Sequence, residues 1–230
     1  MFIPLHDQNP LKIVAFQAVT FSIILTCTLV YLYQKILPEQ QYQAFMLSYG
    51  MLPAVLFEHR TLAEELVRLP AEFTLFSSIF LHSSWLHLIG NMAFLWVFGD
   101  NVEDSMGHWR FLLFYCLCGV VASFAHGLAD SQSISPLIGA SGAVSGVIGA
   151  YLLLHPKVKV LVLVMMRVPL RLPAYWVLGF WIGLQIYSVM FVNESTTAWW
   201  AHIGGLVCGM VLIPFFKYSE VPLFDRDRPH

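Results

Sequence analysis

The chain has 230 residues, 58% of them hydrophobic and only 11% charged, and its mean hydropathy is +0.69. Soluble domains carry about a quarter charged residues, so a soluble globular fold is excluded and the length fits one helical membrane bundle. The net charge of −2 singles out no charged partner, and no nucleic-acid role is expected.

In chain order, the opening "MFIPLHDQNPLK" is short and polar. The apolar run behind it is too long for a signal-peptide core and lacks a small-residue cleavage site, so it is expected to stay as a span. Runs free of Asp, Glu, Lys and Arg then predict six membrane helices, roughly 13–35, 82–101, 111–130, 137–155, 172–192 and 198–216. Each is near the roughly 20 residues a helix needs to cross a bilayer. The run Val160–Met166 is too short to span and is expected to lie in the interface. Residues 37–81 form one long loop with apolar clusters, "YGMLPAVLF" and "FTLFSSIF". It is read as a partly helical outer substructure, because long structureless loops are rare in compact domains. The fold class is therefore an all-α membrane protein, a single six-helix domain over residues 1–230. Cys27, Cys116, Cys118 and Cys208 sit in apolar runs without metal or redox spacing and are read as small hydrophobes.

Basic residues orient the bundle. With the N-terminus inside, Lys12, Arg110, Lys157, Lys159, Arg167, Arg171, Lys217, Arg226 and Arg228 face the cytoplasm, leaving Lys35, Arg60 and Arg68 outside. This bias puts both termini in the cytoplasm, with Trp85 and Trp199–Trp200 near the outer interface.

That orientation brings polar residues of three spans to one depth. His82, His87 and Asn91 fall in the outer half of the second span, Ser141 near the outer end of the fourth, and His202 just below Trp199–Trp200 in the sixth. Polar groups in spans are costly, so their convergence marks a candidate site. His87 and Asn91, four apart, share a helix face, whereas His82 is expected to turn well away. The fourth span, "IGASGAVSGVIGA", carries one small-residue ridge at Ser141, Ser145 and Gly149 and a second at Gly142, Gly146 and Ala150. The sixth carries Ala201, Gly205 and Gly209. Such ridges let helix backbones approach closely, and packing one on another would bring Ser141 to His202. A serine needs a base to become a nucleophile. Asp100, Glu103 and Asp104 lie at the opposite end of the second span, and Asp130 and Glu194 in outer loops, so a Ser–His dyad is expected. His87, Asn91 and the Ser141 amide would serve a developing oxyanion. Haem or metal ligation by His82, His87 and His202 leaves the glycines and Asn91 unexplained. A purely structural glycine ridge, a structural His126 and a transporter are the other readings; a transporter predicts charged or broken spans.

At these residues the chain resembles the rhomboid intramembrane serine proteases. The resemblance runs through "FLHSSWLHLIGNMAFLWVFGDNVED", "GASGAVSGVIGAYLLLHP" and "AHIGGLVCGM", and extends to "IPLHDQNP" and "GHWRFLLFY". It implies Ser141 as nucleophile within Gly139–Ala140–Ser141–Gly142, His202 as base, and His87 and Asn91 in the oxyanion hole. It also implies His82 as organiser of the loop above, Glu103 and Arg110 as structural residues, and Gly205 and Gly209 as packing glycines. Further implications are transmembrane substrates and no cofactor or metal. The minimal six-span layout points to a bacterial inner membrane, with an organelle membrane as the alternative. Inactive family members, which bind membrane segments without cutting them, typically lack the serine or the histidine. Two positions depart from the family pattern. Phe73–Thr74 replaces a Trp–Arg pair in the first loop, and Ser145 stands where an aromatic residue often packs on the catalytic ring. The departures leave the loop's anchor and the support of the His202 ring open.

Overall fold

A computed structural model describes residues 2–165, 167–191 and 198–225. Met166, Glu194, Arg226 and Arg228 lie outside the described residues. Six helices of 14 to 22 residues form the bundle: α1 (Ala18–Ile36), α5 (Trp85–Met106), α6 (His108–Ala129), α7 (Ser141–Leu154), α8 (Ala174–Phe191) and α9 (Trp199–Phe216). Three short helices, α2 (Glu39–Tyr49), α3 (Pro53–Leu56) and α4 (Thr74–Ser77), lie between α1 and α5.

Among the described residues, four helices are long and apolar enough to cross a membrane: α1, α6, α8 and α9. The protein is a multi-pass membrane protein. The other two bundle helices fall outside that group for different reasons. α5 has the length, but Asp100, Glu103 and Asp104 crowd its last two turns. α7 has 14 residues, about 21 Å at 1.5 Å per residue, against a hydrocarbon core of about 30 Å.

An all-α fold is corrected by a three-stranded antiparallel sheet in the order β1 (Phe2–Asp7), β2 (Lys159–Val164), β3 (Val168–Pro173). β2 pairs Ile3 with Leu163 and Asp7 with Val160 across one edge, and Lys159 with Pro173 across the other. Val160 and Val162 are buried. Alternation in a β-branched run is the strand pattern, and a partner over 150 residues away supplies the missing ladder. The run expected to lie flat in the interface is thus a central strand, and β3 takes the first residues assigned to the fifth span.

The helix starts also shift for local reasons. α1 begins at Ala18 because the Asp104 carboxylate accepts the backbone N–H groups of Lys12, Ile13 and Val14 at 3.0, 2.7 and 2.7 Å. Glu103, fully buried, accepts from Val19 and Thr20 in the first turn of α1 at 2.9 and 2.8 Å, and from His108 Nδ1 at 2.5 Å. A carboxylate at a helix N-terminus meets free N–H donors and the positive end of the dipole. At the same end, Arg110 donates weakly to the Phe216 carbonyl at 3.5 Å and lies over the Tyr218 ring.

α7 is the hub, buried from Gly142 through Tyr151 between α5, α6 and α9. Its glycines make this possible. A Cβ at Gly205 would strike the Gly142 carbonyl, one at Gly209 the Gly146 carbonyl, and one at Gly149 the Leu206 carbonyl. Backbones meet here without side chains between them, which is the close approach that small residues allow. α8 sits at the edge, and no atom lies within 4 Å of where a Cβ would stand at Gly179 or Gly183. All four cysteines are free thiols.

Candidate active site

Ser141 is the first residue of α7, directly after a turn that no other residue type fits. Gly139 has φ +120°, and a Cβ there would stand 2.7 Å from both Cε1 and Nε2 of His87 and 3.9 Å from Asn91 Nδ2. Positive φ at this value is essentially confined to glycine. Glycine therefore both bends the chain into α7 and lets its backbone lie against the His87 ring edge. This is also why α7 starts at Ser141 and not near residue 137. The Gly139 N–H donates to the Ser78 carbonyl at 2.9 Å, and Met51 and Leu137 exchange backbone hydrogen bonds at 3.0 and 2.8 Å. The segment between α1 and α5 is thereby stitched to the turn before Ser141. The Ser145 hydroxyl donates to the Ser141 carbonyl at 2.6 Å.

α5 starts with Ser84 as N-cap, its hydroxyl accepting the His87 N–H at 3.1 Å. Serine is a favoured N-cap, and the cap fixes the helical phase that carries His87 and Asn91. Ser83 Oγ lies 3.2 Å from His87 Nδ1. Asn91 is buried, and its Nδ2 has no hydrogen-bond partner. His82 does not turn away from His87. Their rings meet edge to face with centroids 5.1 Å apart, because His82 precedes the N-cap and helical phase does not apply to it. The His82 backbone is clasped by Gln34 of α1, whose Nε2 donates to the His82 carbonyl at 2.9 Å and whose Oε1 accepts its N–H at 3.2 Å.

His202, in the first turn of α9, is buried. Its Nδ1 lies 2.6 Å from Gln185 Oε1 of α8, and the indoles of Trp181 and Trp199 pack around the ring with centroids 6.0 and 5.8 Å away. These three contacts hold the ring where Ser145 does not. Ser141 and His202 flank the tight α7–α9 crossing, where a Cβ on Gly142 would come within 3.5 Å of the Ala201 carbonyl. No hydrogen bond joins Ser141 to His202 among the described residues. Nor, among those residues, do three His, Cys, Asp or Glu side chains group closely enough to hold a metal ion.

Residues 69–219 match the family model of the Rhomboid domain. The chain belongs to the rhomboid family. Relatives include Rhomboid-like protein 11, chloroplastic, of Arabidopsis thaliana, 29% identical over 69% of this chain and 57% of that protein. Rhomboid protein 1, mitochondrial, of Saccharomyces cerevisiae is 28% identical over 61% of this chain and 41% of its own length. RHOMBOID-like protein 5 of Arabidopsis thaliana is 37% identical over 40% of this chain and 29% of its length. The chain thus spans well under two thirds of each. The rhomboid match takes in α5 to α9, and with them every candidate residue from His82 to Gly209, and leaves out β1 and α1 to α3. It also takes in Gln185, which sequence reasoning passed over. The available signal was its chemistry: Gln185 is the one amide, among no charges, in the apolar helix "AYWVLGFWIGLQIYSVMF", and such residues mark function in a span.

Proposed function

We propose that this rhomboid-family chain is an intramembrane serine endopeptidase that cuts transmembrane segments of other membrane proteins. Ser141 is the nucleophile and His202 the general base. His202 Nε2 takes the Ser141 hydroxyl proton as Oγ attacks the scissile carbonyl carbon, and the negative charge moves to the carbonyl oxygen. The Ser141 N–H at the α7 N-terminus, the Asn91 amide and His87 Nε2–H donate to that oxyanion. On this reading the Ser83 hydroxyl, 3.2 Å from Nδ1, donates to it, and His87 carries its proton on Nε2, the nitrogen at the Gly139 turn. Collapse breaks the C–N bond and His202 returns the proton to the leaving amine. Water, deprotonated by His202, then hydrolyses the acyl-enzyme. A helical substrate must unwind locally to offer its carbonyl, so segments with Gly, Pro or polar residues are favoured.

The observation that carries this reading is the Gly139 turn. It sets the Ser141 N-terminus against the His87 ring edge and against Asn91, whose buried Nδ2 has no partner. Buried polar groups are normally satisfied, and an orphaned donor beside a nucleophile suits an acceptor that arrives with substrate.

The reading includes six spans, both termini in the cytoplasm and the lipid bilayer as surroundings. His82 supports the site, and Gly139, Gly142, Gly205 and Gly209 shape it. The sequence-based expectation of a bacterial inner membrane gains no support from relatives whose names carry chloroplastic or mitochondrial, and only a multi-pass membrane location is retained.

The test is labelling of the detergent-solubilised protein with a fluorescent fluorophosphonate, beside Ser141→Ala and His202→Ala. Label on the wild type alone is expected. Equal label on Ser141→Ala, or none on folded wild type, would overturn the assignment.

A further inference from the structure

The amide of Gln185 makes two hydrogen bonds, and together they decide where the proton on His202 sits. Nε2 of Gln185 lies 3.3 Å from the Trp181 carbonyl one turn earlier in α8, and Oε1 lies 2.6 Å from His202 Nδ1. A backbone carbonyl can only accept, so the amide NH2 must face Trp181. Flipping the amide would set two acceptor oxygens against each other and break the bond to the helix. With NH2 committed to Trp181, the carbonyl oxygen faces His202, and it too can only accept. His202 Nδ1 therefore carries the hydrogen and donates it, which leaves the lone pair on Nε2. The contact is short for an N–H···O hydrogen bond, and Gln185 is 5% exposed and His202 8%. Water therefore competes little for the bond between Nδ1 and the amide oxygen, while Nε2 stays the side that meets the reacting groups.

We infer that Gln185 is a positioning residue of the active site, locking His202 in the Nδ1–H tautomer and in the ring orientation that makes Nε2 the base. This inference rests on the serine-protease reading above for its catalytic consequence, while the tautomer itself does not. Gln185 takes the place that an aspartate holds in a Ser–His–Asp triad, where the third residue orients the imidazole and takes no proton itself. Here the orienting acceptor is neutral. It is held by the helix that carries it, since the amide is aimed by the Trp181 carbonyl. The Trp181 and Trp199 rings add walls to the pocket but no hydrogen-bond direction. Among the described residues no other hydrogen bond reaches the His202 ring, so its tautomer depends on this one contact.

Two near-isosteric variants separate positioning from packing. Gln185→Met keeps the bulk and apolar fit but removes the acceptor. Gln185→Glu keeps an acceptor on the same stem but introduces an acid into an apolar site. A merely structural residue tolerates Met and suffers from Glu. A positioning residue does the reverse in activity. In proteoliposomes of the full chain, fluorophosphonate labelling of Gln185→Met should show a maximal inactivation rate lowered about 10- to 100-fold with its half-saturating concentration unchanged. Gln185→Glu should stay within about threefold of wild type in rate, whatever it costs in thermal stability. Met labelling at the wild-type rate, or the two variants losing rate in step with their unfolding temperature, would overturn the inference.

The second readout does not need catalysis. Side-chain 15N shifts of histidine-labelled protein, with the His202 signals found by difference from His202→Ala, report which ring nitrogen bears the proton. The expected result, in wild type and equally in Ser141→Ala, is a protonated Nδ1, with loss of that single tautomer in Gln185→Met. An unprotonated Nδ1, or a spectrum that Gln185→Met does not move, refutes the inference even if Ser141 is the nucleophile. A protonated Nδ1 that Gln185→Met releases, in protein no fluorophosphonate labels, sustains the positioning and sinks the protease reading.

Discussion

Replacing Gly205 by alanine adds one methyl group, and the structure says where it goes: into the Gly142 carbonyl of the facing helix. Ordinary contact begins at 3.4 Å, and the obstacle is backbone, which cannot swing aside. To accommodate the methyl, α9 must retreat from α7 by roughly 1 Å or more, since repulsion rises steeply inside van der Waals contact. Gly142 follows Ser141 and Ala201 precedes His202, so this retreat pulls the proposed nucleophile away from its base. A misplacement of about 1 Å costs on the order of 10²-fold in rate, and overpacking costs about 1–3 kcal/mol in stability. Gly183→Ala in α8 is the matched control, because its methyl meets nothing within 4 Å and alanine is the better helix former. Both proteins are reconstituted, labelled with fluorophosphonate and followed by thermal unfolding. Gly205→Ala should lose at least tenfold in labelling rate and unfold earlier, while Gly183→Ala matches wild type. Equal behaviour of the two variants would refute the claim that direct backbone contact at this crossing sets the site.

Four further outcomes follow from named contacts. Asn91→Ala removes the orphaned donor and should lower the cleavage rate about 10²–10³-fold in protein as stable as wild type by thermal unfolding. Gly139→Ala places a methyl on the His87 ring at φ +120° and should abolish fluorophosphonate labelling in protein that remains folded by circular dichroism. Glu103→Ala strands the buried N–H of Thr20 and the half-buried N–H of Val19, costing about 3 kcal/mol, read as a lower unfolding temperature. Asp7 lies in β1, where burial pushes its carboxyl above the ordinary 3.8 against the pull of the Tyr151 hydroxyl bonded to it. A carboxyl raised in this way contributes stability that is full below the unfolded value and is lost as pH climbs through the folded one. The unfolding temperature should therefore fall as pH rises from 3.8 upward, and Asp7→Asn should flatten that descent.

The parts legible in the sequence were those written in local periodicity. Charge-free runs marked the six bundle helices to within a few residues, and the spacing of Gly142, Gly146, Gly205 and Gly209 marked the crossing they make. The parts that were not legible depend on partners far along the chain. Val160–Val164 becomes a central strand only because Phe2–Asp7 pairs with it. α1 starts late only because Asp104, 90 residues on, captures Val14. His82 was assigned a helical phase it does not have, since the Ser84 cap that ends the loop lies after it. Gln185 was visible as a costly amide in an apolar helix, but nothing local says that it faces His202, 17 residues away across a segment whose path periodicity does not give.

On the mechanism proposed for Ser141 and His202, an amide where soluble triads use a carboxylate has a physical reason. An ionised aspartate against His202 would be buried in an apolar bundle, and an unpaired buried charge costs far more than a buried amide whose hydrogen bonds are made. A protonated aspartate, one methylene too short to spend its hydroxyl on the Trp181 carbonyl, could donate to Nδ1 and drive the lone pair off Nε2. An acid on the glutamate stem instead keeps its hydroxyl on Trp181, as the amide keeps its NH2. Gln185 avoids both, because it is neutral and its donor side is spent on the Trp181 carbonyl. What the amide gives up is charge stabilisation of the imidazolium, so orientation must carry more of the catalysis. That is consistent with the amount of structure spent on it here: two indoles around the ring, a backbone-to-backbone helix crossing beside it, and one acceptor held by the helix it belongs to.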